Sequence, residues 1–275
     1  MSVMRHDRQT NPRNPRGRRW IAALTLGLAI VACGNRAPVE TVPSDGRRPL
    51  EAGRFDDYAP HAWDGAGPDR YAIHGIDVAR YQGTIDWQQV RRAGISFAYI
   101  KATEGADLLD PRFKENWRNA RRAGIPRGAY HFYYFCRSAE EQARWFIENV
   151  PRDPQALPPV LDMEWNPFSP TCTKRPPAAV VRSEAERFVR MIEQHYGRRP
   201  VIYTAIDFHR DTYIGRLRRV DFWLRSVAGE PHQTYPGQPW LIWQYTGTGS
   251  VPGVSGPVDI NVFRGSAEAF SSWAR

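Results

Sequence analysis

From Tyr71 onward, short apolar runs alternate with amphipathic stretches in which apolar residues recur every three or four positions. The apolar runs predict eight strands, at 71–77, 97–102, 127–134, 159–164, 200–204, 222–226, 241–245 and 258–263. The amphipathic stretches predict helices at 87–93, 113–123, 138–149 and 183–196, with little helix among the last strands. Alternating strands and helices are typical of a parallel sheet, and eight strands in about 200 residues favour its closure. We therefore predict an α/β fold, a single TIM-like β/α barrel over residues 71–275, with parallel strands and degenerate last helices.

The first 70 residues have a different composition and pattern. A basic stretch precedes residues 20–32, which carry no charge and are too few to span a bilayer, since a spanning helix needs about 20 apolar residues. This length is typical of a signal peptide, and the run Ile30-Val31-Ala32-Cys33-Gly34 resembles a bacterial lipoprotein processing site. We expect a signal peptide over 1–32, a lipid on Cys33 and, from the small, polar and proline-rich residues, a flexible linker over 33–70. An ordinary signal peptide with an incidental cysteine is the alternative.

The charge of the chain says little about its partner. The formal net charge is +9, but residues 1–32 hold six arginines and one acid, which leaves 32 basic and 28 acidic side chains. This mild excess fits an anionic polymer weakly, and because basic and aromatic residues form no stripe, we expect no nucleic-acid partner. We expect an exported protein of the cell envelope, a monomer held at a membrane through Cys33.

Charged side chains gather at the ends of several predicted strands, where barrel enzymes place their active sites. Asp77 ends the first strand, Lys101 and Glu104 the second, and Asp259 lies on the eighth. Asp162 and Glu164 end the fourth strand two positions apart, and therefore on one face. Two adjacent carboxyl groups cannot both ionise freely, so that one stays protonated, which is what cleavage of a glycosidic bond requires. Taken alone, this pair is also typical of a solvated strand end.

Seven blocks in chain order resemble glycoside hydrolase family 25, the Chalaropsis-type lysozymes, over roughly residues 71–265. They are HGIDVARYQG (74–83) with IDW (85–87), FAYIKATEG (97–105), DPRF (110–113) with AGI (123–125) and GAYHF (128–132), LDME (161–164), PVIYT (200–204), WQY (243–245) and VDIN (258–261). The chain departs from the family at 79–81, where Ala79, Arg80 and Tyr81 replace its usual serine and aromatic pattern, which leaves the local substrate contacts open.

The resemblance implies hydrolysis of the β-1,4 bond between N-acetylmuramic acid and N-acetylglucosamine in peptidoglycan, with no metal and no cofactor. It assigns Glu164 as the general acid and Asp162 as its partner, with Asp77 and Asp259 as two further carboxylates of the site. The expected substrate-binding residues are Tyr203, Tyr99, Lys101, Tyr130, Trp165 and Gln244. Two other functions remain open, a non-catalytic glycan-binding lipoprotein and a hydrolase of chitin-like polysaccharides on the same fold.

Several of these residues also fit a structural role. Lys101 and Glu104 are equally explained as cleft residues or as an internal ion pair, and His131, among aromatic residues, is favoured as a core histidine. Trp165 follows the catalytic strand and is expected to stack on a sugar, whereas Trp87 and Trp145 are favoured as core residues.

The chain has three cysteines, and a lipid on Cys33 would leave Cys136 and Cys172 as a pair. Export places these two in an oxidising compartment, where pairs tend to form disulfides. Cys136 follows the third predicted strand and Cys172 the fourth, and neighbouring parallel strands end at the same rim. We predict a disulfide between Cys136 and Cys172, with two free, buried thiols as the alternative.

Overall fold

The computed structural model describes residues 54–65 and 67–275. The predicted signal peptide, Cys33 and most of the predicted linker lie outside these residues. The described end of the linker is folded, because β1 (Asp56–Asp57) pairs with a later strand and the ring of Trp63 lies 5.1 Å from that of Trp243. The prediction of a flexible linker up to residue 70 is therefore wrong for this part. Two packing aromatic residues, Phe55 and Trp63, are too few to produce a detectable period.

Eight strands close into a barrel. They are β2 (Ile73–Val78), β3 (Phe97–Glu104), β5 (Arg127–Phe132), β6 (Val160–Met163), β7 (Val201–Thr204), β8 (Phe222–Arg225), β9 (Ile242–Ser250) and β10 (Val258–Phe263). Each strand pairs with the next, and β10 pairs back with β2, which confirms the predicted barrel. Outside the ring, β1 pairs with β9, and β4 (Leu108–Leu109) pairs with β3.

The prediction that all strands are parallel is wrong for the last one. β10 runs antiparallel to both of its neighbours, β9 and β2. The reason is the short connection between β9 and β10, since a parallel return needs a crossover of a dozen or more residues. This direction places the beginning of β10 at the rim where the other barrel strands end, so that Asp259 lies opposite Asp77.

Seven α-helices are present in the described residues. They are α1 (Trp87–Arg92), α2 (Phe113–Arg122), α3 (Ala139–Asn149), α4 (Ala178–Tyr196), α5 (Ile206–Thr212), α6 (Pro231–Thr234) and α7 (Ala267–Ala274). Ser138 caps α3 and forms a capping box with Glu141, as the sequence predicts. α4 begins five residues before the predicted start, because the buried Val181 extends its apolar face. α5 and α6 have only seven and four residues, which confirms that the last crossovers are degenerate.

Side chains alternate between the two faces of the barrel wall. Outward-facing residues such as Ile76, Ile100 and Ile202 pack against the helices. Inward-facing apolar residues form the lower layer, which consists of Ile73, Phe97, Tyr99, Val160, Val201, Trp223, Ile242 and Phe263. α7 closes this end of the barrel with Phe270, whose ring lies 5.5 Å from that of Phe97. The bottom of the barrel is therefore sealed by packed aromatic rings.

A glycine makes room for one of these rings. A Cβ on Gly128 would lie 2.2 Å from Cε1 of Tyr99, so that only a residue without a side chain fits beside the phenol. The hydroxyl of Tyr99 donates to the carbonyl of Pro158 at 3.1 Å, and the side chain is fully buried. Tyr99 therefore belongs to the core, and its predicted contact with substrate is wrong.

Candidate active site

A cleft of about 790 Å³ opens at the rim where the parallel strands end. Each of the eight barrel strands contributes at least one polar side chain to it. One such residue from each strand, together with Glu164 directly after β6, forms the upper layer, which consists of Asp77, Lys101, Tyr130, Asp162, Glu164, Tyr203, Arg225, Gln244 and Asp259. On five strands the upper-layer residue stands two positions after a lower-layer residue, as Lys101 does after Tyr99 and Arg225 after Trp223. Because side chains two positions apart share a face, the same face of these strands lines the core at one position and the cleft at the next.

Asp77 is held at the floor of the cleft by two amides. Its Oδ2 accepts hydrogen bonds from Gln244 at 3.0 Å and from Asn261 at 2.8 Å. The other ends of both amides are occupied, because Gln244 accepts from the hydroxyl of Tyr203 and Asn261 accepts from the indole of Trp223. Burial raises the pKa of Asp77 to about 6, and the two amide donors limit that rise. Asp77 is therefore ionised at neutral pH and fixed in orientation.

Asp162 and Glu164 both face the cleft, as their spacing predicts. Burial raises the pKa of Glu164 to about 7, although the positive charge of Arg225 opposes this. Burial and then the charge of Glu164 also raise the pKa of Asp162. Within the described residues, Oδ1 of Asp162 is buried without a hydrogen-bond partner. The pair therefore retains a proton near neutral pH and leaves one acceptor unsatisfied.

Asp259 lies at the beginning of β10, partly buried in the same cleft. Burial and the nearby charge of Asp77 raise its pKa to about 8, and Arg225 limits the rise. The structure thus brings together all four carboxyl groups that the sequence predicts. The pKa of Asp77 is lower than those of Glu164 and Asp259, because Asp77 accepts two hydrogen bonds in its ionised form.

Lys101 and Glu104 line the cleft and also form an ion pair, so that both interpretations of these residues hold. Nζ of Lys101 lies 2.5 Å from Oε2 of Glu104, and the hydroxyl of Tyr134 donates a hydrogen bond to Oε1 of Glu104. Burial alone would raise the pKa of Glu104, but the hydrogen bonds from Lys101 and Tyr134 outweigh it and lower the pKa. The charge of Lys101 is therefore compensated within the protein.

Two exposed aromatic rings stand at the mouth of the cleft. Tyr81 is 72% exposed and Phe168 is 93% exposed, although both line the cavity. The loop that carries Phe168 is fixed to the neighbouring loop by a disulfide between Cys136 and Cys172, whose Cα atoms are 5.8 Å apart. The predicted disulfide is confirmed, and it ties this part of the rim to the barrel.

Trp165 lies outside the cleft, which contradicts its expected position at the substrate. Its indole packs against Phe208, with ring centroids 4.6 Å apart, and donates to Asp211 at 3.0 Å. The reason is the strand period, because the residue after Glu164 points to the opposite face of the wall. His131 is confirmed as a core histidine, bonded on its two nitrogens to Thr103 and Gln142.

Sequence reasoning did not single out Asn261, Arg225 or Phe168. Asn261 stands two positions after Asp259, and Arg225 two positions after Trp223, so the period of two offered a signal for both. Phe168 lies in an irregular loop, where no period indicates the direction of a side chain. The described residues contain no group of three or more His, Cys, Asp or Glu side chains arranged to hold a metal ion.

Comparison with known proteins identifies the fold and the blocks that surround this cleft. The family model for glycosyl hydrolases family 25 matches residues 76–254, which include Asp77, Asp162 and Glu164. This chain belongs to glycosyl hydrolase family 25. Lysozyme M1 of Streptomyces globisporus is 36% identical over 263 residues, which cover 90% of this chain and 89% of the relative.

Solved structures agree with this family 25 assignment. A family 25 glycosyl hydrolase from Bacillus anthracis has 36% identity and a TM-score of 0.72, with 80% of this chain and 100% of that chain covered. A bacterial lysozyme from Streptomyces coelicolor has 38% identity and a TM-score of 0.66, covering 74% of this chain and 97% of the other. The family 25 chain described here is therefore a glycoside hydrolase on an α/β barrel.

Proposed function

We propose that the protein is a muramidase, which hydrolyses the β-1,4 bond between N-acetylmuramic acid and N-acetylglucosamine in peptidoglycan. The observation that carries this proposal is the pair Asp162 and Glu164, side by side in an open cleft, with pKa values raised by burial. Such a pair supplies both a transferable proton and a carboxyl group for orienting the substrate. The names of family 25 relatives, lysozyme and N,O-diacetylmuramidase, agree with this substrate.

In the proposed mechanism, Glu164 donates its proton to the glycosidic oxygen as the bond from that oxygen to C1 breaks. The unsatisfied Oδ1 of Asp162 accepts the N–H of the 2-acetamido group, whose carbonyl oxygen forms a bond to C1 from the other side. Water then attacks C1, the acetamido oxygen departs, and Glu164 takes up the proton of the water. Participation of the substrate removes the need for a protein nucleophile.

The other polar groups of the cleft hold this arrangement in place. Asp77 is ionised and fixed by Gln244 and Asn261, so its negative charge stabilises the positive charge that develops at the sugar ring. The hydroxyl of Tyr203 holds the amide of Gln244 and stays protonated, because burial raises its pKa. Tyr81 and Phe168 offer exposed ring faces on which sugars stack.

The activity is tested by reducing-end release from purified peptidoglycan and, in parallel, from chitin oligomers. We expect release from peptidoglycan, and borohydride reduction of the products should convert muramic acid, rather than glucosamine, to its alditol. Release from chitin alone would favour the chitin-like hydrolase. Binding to peptidoglycan without release, by folded wild-type protein, would favour the glycan-binding lipoprotein and overturn the proposed activity.

The leader sequence supports a proposed location in the cell envelope, with a lipid on Cys33 as the membrane anchor. No helix within the described residues is long and apolar enough to cross a bilayer. Mass spectrometry of the membrane fraction should find a mature N-terminus at Cys33 that carries acyl chains. A mature chain that begins elsewhere, or an unmodified Cys33, would contradict the anchor without affecting the proposed activity.

A further inference from the structure

Arg225 is a cation of the cleft whose charge acts on the nearby carboxyl groups without a direct contact between its guanidinium and any of them. It is the last residue of β8, and its backbone is held where the hydroxyl of Tyr235 donates to its carbonyl at 2.6 Å. Its side chain is half-buried and lines the cleft. Among the described residues, its guanidinium donates no hydrogen bond and forms no ion pair. Five N–H donors therefore face the cleft from a fixed position on the wall.

The other cations of the cleft are engaged differently. Lys101 is paired with Glu104, and the guanidinium of Arg80 lies over the ring of Tyr81 and donates to its hydroxyl at 3.2 Å. The nitrogens of Arg225 are not among the buried polar atoms without a partner, so water in the open cleft reaches them and a ligand can replace that water. Arg225 thus differs from its neighbours in having donors available for a substrate.

The carboxyl groups around Arg225 neutralise its charge only in part near pH 7. Arg225 and Asp259 lie close to Gly247. A Cβ on Gly247 would lie 4.0 Å from Nη2 of Arg225 and 3.2 Å from Oδ1 of Asp259. Burial raises the pKa of Asp259 to about 8, so that this group remains largely protonated, and that of Glu164 to about 7, so that this group is only partly ionised. Asp77 is ionised, but its Oδ2 is held by Gln244 and Asn261, so the guanidinium remains open to a further anion.

One chemical group distinguishes the two sugars of the proposed substrate. Muramic acid carries a lactyl ether that glucosamine lacks, and this ether ends in a carboxyl group, which is free where no peptide is attached. A guanidinium binds a carboxylate through two parallel hydrogen bonds, and no hydroxyl of a plain N-acetylglucosamine unit offers that match. The group that Arg225 fits best is therefore the lactyl carboxylate.

We propose that Arg225 is a specificity-determining residue that binds the lactyl group of N-acetylmuramic acid and so favours muramic-acid-containing strands over chitin-like ones. This inference rests on the proposed muramidase function and names the residue that distinguishes muramic acid from glucosamine. Gly247 belongs to the same proposed binding site, because a side chain at this position would occupy the space between Arg225 and Asp259.

Binding without turnover tests this proposal. In a Glu164→Gln background, we would measure dissociation constants for peptide-free oligomers of alternating muramic acid and glucosamine and for chitin oligomers of equal length. Arg225→Ala should weaken binding of the muramic oligomers about tenfold to hundredfold, the range for a charge-assisted pair, and binding of chitin oligomers less than threefold. Arg225→Lys should restore part of the loss. Methyl esterification of the lactyl carboxylates should reproduce it without any change to Arg225.

Arg190→Ala removes an exposed arginine on α4 and serves as the matched control, with both constants unchanged. If Arg225→Ala weakens binding of both oligomers equally, or of neither, Arg225 does not read the lactyl group and the proposal is overturned. A general positioning role would instead shift the pH profile of peptidoglycan turnover when Arg225→Ala is introduced into protein that retains Glu164. Absence of reducing-end release by the wild-type protein would instead contradict the muramidase function, and the two failures are thereby distinguished.

Discussion

The lower and upper layers of the barrel interior are built from the same strands and have opposite chemistry. Phe97 and Tyr99 fill the lower layer, and two positions further Lys101 lines the cleft, on the same strand and the same face. The lower layer excludes water and packs against α7, whereas the upper layer collects four carboxyl groups in a partly buried space. Depth along the barrel axis therefore decides whether an inward-facing residue stabilises the fold or serves the reaction.

The two layers also contribute with opposite sign to stability. Buried rings in the lower layer favour folding by removing apolar surface from water. The upper-layer carboxyl groups have raised pKa values, which means that folding disfavours their ionised forms at neutral pH. The site is thus kept in place by the packing below it, and substitutions in the two layers should be separable.

The largest effect should come from Glu164→Gln. The amide is nearly the same size as the carboxyl group but has no proton to transfer, so turnover should fall about a hundredfold or more. Clearing of a peptidoglycan suspension measures the loss, and circular dichroism should show an unchanged fold. Clearing at the wild-type rate would refute the assignment of Glu164 as the acid.

The opposite outcome is expected of Phe97→Ala in the lower layer. Removal of a fully buried ring should lower the free energy of unfolding by about 3–5 kcal/mol, as measured by denaturant titration. Turnover at a temperature where the variant is folded should stay within about twofold of wild type. Phe168→Ala, which removes a 93% exposed ring, is the control and should leave stability unchanged. A selective loss of turnover in folded Phe97→Ala protein would contradict the division between the layers.

The opposing contribution of the upper layer appears in the dependence of stability on pH. The pKa of Glu164 is about 7 in the folded protein and near 4.5 in the unfolded chain, so the folded state binds more protons between these values. Stability contributed by this group is therefore lost as pH rises through that window and is level above it. Relative to wild type, Glu164→Gln should gain stability from about pH 4.5 to 7, on the order of 1–3 kcal/mol.

Urea titrations of both proteins at pH 5, 6, 7 and 8 measure this difference. Burial lowers the pKa of His74 and of His131 to about 4, which acts with the opposite sign, but it acts equally in both proteins and cancels. A stability difference that is constant over this pH range would show that burial does not raise the pKa of Glu164.

The smallest effect should come from the rim. Phe168→Ala should raise KM about threefold to tenfold on peptidoglycan with kcat unchanged, because a stacked sugar is bound equally in the ground and transition states. Tyr213→Ala removes another exposed ring that does not line the cleft and should change neither constant. A fall in kcat for Phe168→Ala would indicate that this ring contributes to the chemical step and not only to substrate binding.

The sequence pattern was sufficient for the number and order of the barrel strands, because buried strands produce apolar runs whatever their direction. For the same reason it did not reveal that β10 is antiparallel, which depends on the length of a connection rather than on the strand itself. The pairing of Asp162 with Glu164 followed from the period of two, and the same period excludes Trp165 from that face.

Tyr99 shows where periodicity stops being informative. It shares a strand face with Lys101, and only its depth, set by the rings of α7 below, separates a core residue from a cleft residue. Arg225 stands near the end of a predicted strand and was not singled out, because its importance depends on the carboxyl groups that the fold brings around it. The pKa values of these groups arise from burial that no spacing records.

The disulfide between Cys136 and Cys172 has a further consequence for an enzyme exposed to proteases. The bond closes a covalent ring of chain that contains α3, β6, both members of the catalytic pair and the loop with Phe168. A single proteolytic nick anywhere inside this ring opens it but releases no fragment, since the two new ends remain on one connected molecule. The segment that carries the proposed chemistry is therefore the part of the barrel that tolerates one cut without falling apart.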